Sequence, residues 1–192
     1  MQKVAAILHL EGPVFDTDTE TRLEFAETLN RNGGLVVKET DRGRIILFMA
    51  AKSAAICAIE LRRLDETSAR ELNIAALLRC AISLGPVTIS QETVNGDAVE
   101  VAANIATILE PGDIFVSATC REALADKIPV DYTQLRENPS SGYRLLVDAN
   151  EVLSAIRHEN PEAPAWSWKI TLPAFSMLIF VTLAWFWFHS AG

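Results

Sequence analysis

The chain has 192 residues, 49% of them hydrophobic and 22% charged, with a formal net charge of −8. That length leaves room for a single well-filled core, and the acidic balance excludes a nucleic-acid partner, because no basic stripe exists to neutralise phosphates. Cys57, Cys80 and Cys120 form no CxxC pattern and lie in apolar surroundings, so they read as buried thiols of a reducing compartment, with neither a zinc site nor a disulfide framework.

Lys3 to Leu10 is a short apolar run without helical start signals and predicts a first, central strand. Met1 to Leu10 contains no apolar core long enough for a signal peptide, which predicts a cytoplasmic domain. Thr17-Asp18-Thr19-Glu20 has capping-box spacing, and Leu23, Ala26 and Leu29 continue a helical period as far as Gly33-Gly34. Leu35 to Lys38 and Arg44 to Met49 predict a hairpin around Glu39-Thr40-Asp41-Arg42-Gly43. Ala50 to Leu64 predicts a second helix, followed by a polar stretch from Asp65 to Glu71.

Ala75 to Leu84 and Val87 to Ser90 read as a strand pair broken at Gly85-Pro86, and Asp97 to Leu109 as a third helix closed by Pro111-Gly112. Ile114 to Ser117 predicts a buried strand and Ala118 to Lys127 a short helix. Val130 to Leu135 and Tyr143 to Val147 predict a final strand pair. Ala149 to Ala165, with Pro161 and Pro164, has linker composition, although Glu151 to Arg157 has the pattern of a short helix. This order of strands and helices predicts an α+β sandwich, one mostly antiparallel sheet with packed helices.

Ile170 to Phe188 carries no charged side chain over nineteen positions. As a helix it extends ~28 Å, roughly the hydrocarbon thickness of a bilayer. Trp166 and Trp168 precede the run and Trp185 and Trp187 lie near its end, so that indoles fall at both predicted interfaces. Every Lys and Arg lies at or before Lys169, which predicts a single-pass anchor in a cell (inner) membrane with the preceding domain on the cytoplasmic side. The expected organisation is therefore a domain over 1–148, a linker over 149–168, a transmembrane helix over 169–189 and a short tail over 190–192.

Three segments in this order resemble the catalytic domain of class III adenylate and guanylate cyclases. VAAILHLEGPVF is similar to the opening strand of that family. GGLVVKETDRGRIILF is similar to its metal-binding hairpin, and GDAVEVAANIATILEPGDIFVS to its G-D-x-V-N-x-A-A-R-L segment ending in P-G-x-I-x-V-S. The resemblance covers roughly Val4 to Val147 and implies the cyclase-homology, ferredoxin-like form of the sandwich.

At the chemical positions the chain departs from the pattern. The resemblance implies two aspartates holding two metal ions, and here those positions are Glu11 and Arg42. Glutamate still offers oxygens to a hard cation, whereas arginine stays protonated and offers no lone pair. The family asparagine that orients the ribose corresponds to Glu100, and the arginine that stabilises the transferring phosphate to Asn104. Lys38 and Thr93 match the positions that read the purine edge.

Because family sites are shared across a dimer, a chain altered in both halves completes no site with itself or with an intact partner. The resemblance thus implies a catalytically inactive, membrane-anchored domain that works by protein association, as a homodimer or with another protein, and needs no cofactor. The alternative is a divergent nucleotidyl cyclase whose Mg or Mn is held by Glu11 and Asp41, or a nucleotide sensor using Lys38 and Thr93.

Overall fold

A computed structural model of the chain describes residues 2–12, 19–40, 43–90, 93–135 and 142–159, with only the backbone described for Leu135 and for residues 157–159. The elements run β1 (Gln2–Glu11), α1 (Thr19–Arg31), β2 (Leu35–Thr40), β3 (Gly43–Phe48), α2 (Ala51–Leu72), β4 (Arg79–Ile89), β5 (Val94–Asn95), α3 (Asp97–Ala106), β6 (Ile114–Ser117), α4 (Ala118–Leu124), β7 (Asp131–Leu135), β8 (Gly142–Leu146) and α5 (Ala149–Glu159). One sheet in the order β2-β3-β1-β4-β6-β8-β7 accounts for these strands, with β5 added on β4. It is mixed: β4 and β6 run parallel and the other pairings are antiparallel.

Strand alternation sends successive side chains to opposite faces, and each face has its own core. Ala6, Leu8 and Leu10 of β1 join Ile46, Phe48, Cys80 and Ile82 beneath α1, α2, α4 and α5. Ala5 and Ile7 join Ile45, Leu47, Ala81 and Phe115 beneath α3, which is the only helix contributing to that core among the described residues. The expected first strand, first helix, hairpin, buried fourth-segment strand and final strand pair are therefore present, within one or two residues of their predicted bounds.

Three expectations are corrected. The polar stretch Asp65 to Glu71 continues α2 rather than ending it, because Asp65 and Ala69 keep the buried face in phase and Arg62 pairs with Glu66 one turn on, at 2.7 Å. The helix closes at Asn73, which takes a left-handed conformation (φ 54°), while the amides of Asn73 and Ile74 bond back to Arg70 and Ala69. Gly85-Pro86 does not divide a strand pair; both lie inside the single strand β4, and Ala75 to Leu78 is not strand. From Gly85 to Val87, β4 is paired only by β1, so the missing donor of Pro86 is tolerated. Finally α3 and α4 stop at Ala106 and Leu124, short of Leu109 and Lys127.

The helix within the linker composition forms as α5, and Ala149, Val152 and Leu153 enter the larger core. Among the described residues no helix is long and apolar enough to cross a membrane. The expected span, with Trp166, Trp168, Lys169, Trp185 and Trp187, lies outside them, as do Thr17 and Asp18 of the capping box. The three cysteines are buried and unpaired. Burial raises all three thiols, Cys57 and Cys120 to about 12 and Cys80 further, so native protein should resist thiol reagents until it unfolds.

Asp65 ties the end of α2 to the start of β4. It is 7% exposed, and its Oδ2 accepts the amides of Leu77 and Leu78, each at 2.9 Å. Burial pushes its carboxyl above the usual range, against the pull of those two hydrogen bonds. Asp65→Ala should cost about 1–3 kcal/mol, because both amides lose their acceptor. A folded pKa above the unfolded value gives a contribution that is complete below about 3.8 and is lost as pH rises through the folded value. Asp65→Asn should therefore gain stability relative to wild type between about pH 4 and neutrality in denaturant melts, and a pH-independent difference would contradict the burial account.

Candidate functional site

The resemblance directs attention to the C-terminal end of β1. There Glu11 faces Gly43 of β3 on one side and Arg79 of β4 on the other. One pair inward, His9 faces Ile45 and Ala81, and Ile45 also faces Lys38 of β2. Directly opposed residues share a face, so His9, Glu11, Lys38, Thr40 and Arg79 all project to the α3 side of the sheet. The hairpin is closed by Thr40, whose hydroxyl accepts the Gly43 amide and donates to the Gly43 carbonyl, both at 3.1 Å. A Cβ at Gly43 would collide with the Leu10 carbonyl oxygen, which explains glycine beside Glu11.

This corner is rich in polar atoms that lack partners. Glu11 Oε2, Arg79 Nε and His9 Nδ1 are buried with no hydrogen bond. His9 is held below its ordinary pKa chiefly by burial and also by the Lys38 charge, while Glu11 and a backbone hydrogen bond at Ala102 oppose the shift. It is therefore a neutral imidazole with a free Nδ1 at neutral pH. Sequence reasoning passed over both His9 and Arg79. The available signal was the His-x-Glu alternation on a strand, which puts both side chains on one face.

Asp41 and Arg42 fall outside the described residues. Lys38 is exposed on β2. Glu100 and Asn104 are both exposed on α3, whose sheet-facing residues are Ala98, Ala102, Ile105 and Ala106. They share the outer surface of the helix one turn apart, as their spacing predicts. α3 begins at Gly96, where φ is +143° and a Cβ would approach the Pro86 carbonyl oxygen to 2.5 Å, so glycine is required.

Thr93 sits in the turn joining β4 to β5. Its hydroxyl lies 2.6 Å from that of Ser90 and 3.3 Å from the donating Asn95 amide, while its carbonyl accepts from the Ser90 amide and hydroxyl at 3.0 and 3.1 Å. These bonds tie the side chain into the turn. Among the described residues no group of three or more His, Cys, Asp or Glu could hold a metal ion.

No protein-family model matches the chain. A curated protein of Rhizobium meliloti (strain 1021), provisionally named adenylate cyclase 3, is 29% identical over 140 residues. The match covers 71% of this chain but 21% of that protein, so the chain spans about a fifth of its relative's length. Among solved structures, an adenylate/guanylate cyclase/hydrolase from Silicibacter pomeroyi is 24% identical with a TM-score of 0.63, covering 77% of this chain and 99% of the other. The adenylyl cyclase CyaB from P. aeruginosa gives 17% and 0.63, with 77% and 95% covered. The described domain therefore has the adenylate/guanylate cyclase catalytic-domain fold, as the resemblance in sequence implied.

If Thr93 serves the turn, Thr93→Val should lower stability by roughly 0.5–1.5 kcal/mol through the lost hydroxyl bonds. That corresponds to a fall of a few degrees in the melting temperature, and an unchanged melt would remove its structural role.

Proposed function

We propose that this chain is a cyclase-fold domain that no longer cyclises nucleotides and acts through protein association at a membrane. The observation that carries the reading is the outer surface of α3. It presents Glu100 and Asn104, both exposed, and Asp97 stands exposed in the first turn. No Lys, Arg or His occurs in the helix. Where the resemblance implies a ribose-orienting amide and a phosphate-stabilising guanidinium, this helix offers a carboxylate and an amide. Loss of one such electrostatic group commonly costs ~10²- to 10³-fold in rate, and a carboxylate repels a triphosphate besides.

Arg42 adds a fixed positive charge to the hairpin that in the resemblance supplies a metal-binding carboxylate. Arg79 stands directly across from Glu11 and is a second cation beside the carboxylate that remains. The membrane location rests on the apolar run 170–188 with its flanking tryptophans. The association partner is a second copy or another membrane-bound protein.

One observation favours a second reading, in which a divergent cyclase holds Mg or Mn through Glu11 and Asp41. Glu11 Oε2 is buried without a partner, and a cation would satisfy it. The relative from Rhizobium meliloti also carries an adenylate cyclase name.

Full-length protein in mild detergent, supplied with ATP or GTP and magnesium or manganese, should form no cyclic nucleotide above the protein-free baseline. Turnover that disappears in Glu11→Ala would replace the first reading with the second.

A further inference from the structure

The outer ridge of α2 separates two grooves of opposite charge. On one flank, against α1, a groove of about 330 Å³ is lined by Glu20, Glu24, Leu64, Ser68 and Glu71. On the other, against the start of α5, a groove of about 530 Å³ is lined by Arg62, Arg63, Arg70, Glu66 and Asp148. Thr67 lines both and so marks the crest. The spacing explains the segregation: at 3.6 residues per turn, 64, 68 and 71 fall on one side of Thr67, and 62, 66 and 70 on the other.

Several of these charges are already occupied. Arg62 pairs with Glu66 at 2.7 Å, and Asp148 caps α5 by accepting the amides of Asn150 and Glu151 at 2.9 and 3.3 Å. Arg63 and Arg70 on one flank, and Glu24 and Glu71 on the other, are exposed and have no ion-pair partner among the described residues. Two unpaired cations and two unpaired anions thus lie on opposite sides of one crest.

We infer that this face of α2 is a self-complementary docking surface whose occupant is a second copy of the chain. A two-fold axis parallel to α2 exchanges the two flanks, setting the acidic groove of each copy over the basic groove of the other and bringing the two Thr67 residues together near the axis. Two-fold pairing needs such a self-complementary patch. An axis perpendicular to the helix within the contact plane would instead oppose like charges. The pairing goes beyond the proposed function, since it holds whether or not the chain cyclises nucleotides. Ion pairs at exposed positions are individually weak and salt-sensitive, so the contact is low in affinity. Confinement of both copies to one membrane would raise their effective concentration.

Disulfide trapping of the full chain in mild detergent tests this, because the native cysteines are buried. Thr67→Cys should give a covalent dimer under gentle oxidation. Adding Arg63→Glu with Arg70→Glu should cut the yield at least about ten-fold, and further adding Glu24→Arg with Glu71→Arg should restore it. Should a charge variant fail to fold, the yield of Thr67→Cys alone should fall between roughly 50 and 500 mM salt. Absence of a Thr67→Cys dimer in folded protein overturns the inference, as does a yield indifferent to charge reversal and salt. Trapping through Asn104→Cys in its place would move the contact to α3.

Discussion

The pairing of β1 with β4 over ten residues is the constraint on which the remaining structure depends. These two strands lie at the centre of the sheet and carry side chains into both cores. Fixing their register assigns Ala6, Leu8 and Leu10 to the four-helix side and Ala5 and Ile7 to α3. A slip by one residue would exchange every one of those assignments. The same register sets Glu11 against Arg79 and His9 beside Ala81, so the polar corner is a direct consequence of how the core is threaded. Asp65 reinforces it from outside by holding the amides that lead into β4.

Much of this was legible in the chain. Apolar runs bounded by turn residues located β1, the β2–β3 hairpin and β6, and the Gly96-Asp97 start located α3. Errors arose where local composition pointed away from tertiary context. Asp65 to Glu71 looks like a loop because it is polar, yet Asp65 has a buried purpose that only the position of Leu77 and Leu78 reveals. Gly85-Pro86 looks like a break, yet a strand bordered on one side tolerates a residue without a donor. At the candidate site, Glu11, Glu100 and Asn104 could be named from the resemblance, whereas the contribution of His9 and Arg79 depends on cross-strand register, which no single segment encodes.

Thr93 illustrates a different limit. Its sequence position matches a base-reading residue, but its hydroxyl is engaged with Ser90 and Asn95 in the β4–β5 turn. The partners of that hydroxyl are set by the turn and cannot be read from its sequence position. Gly96 is required by its backbone conformation and by the nearby Pro86 carbonyl, independent of any chemistry. In this chain α3 exposes Asp97 and Glu100, and the back of α2 carries acidic and basic side chains on opposite flanks.

The central claim is that Glu11, Arg42, Glu100 and Asn104, on an otherwise intact cyclase fold, are what remove nucleotide cyclisation. The direct measurement is cyclic-nucleotide formation by a variant carrying Glu11→Asp, Arg42→Asp, Glu100→Asn and Asn104→Arg, assayed beside wild type with ATP, GTP and manganese. The account predicts product from the fourfold variant and none from wild type. A folded variant as silent as wild type, or an active wild type, would contradict it.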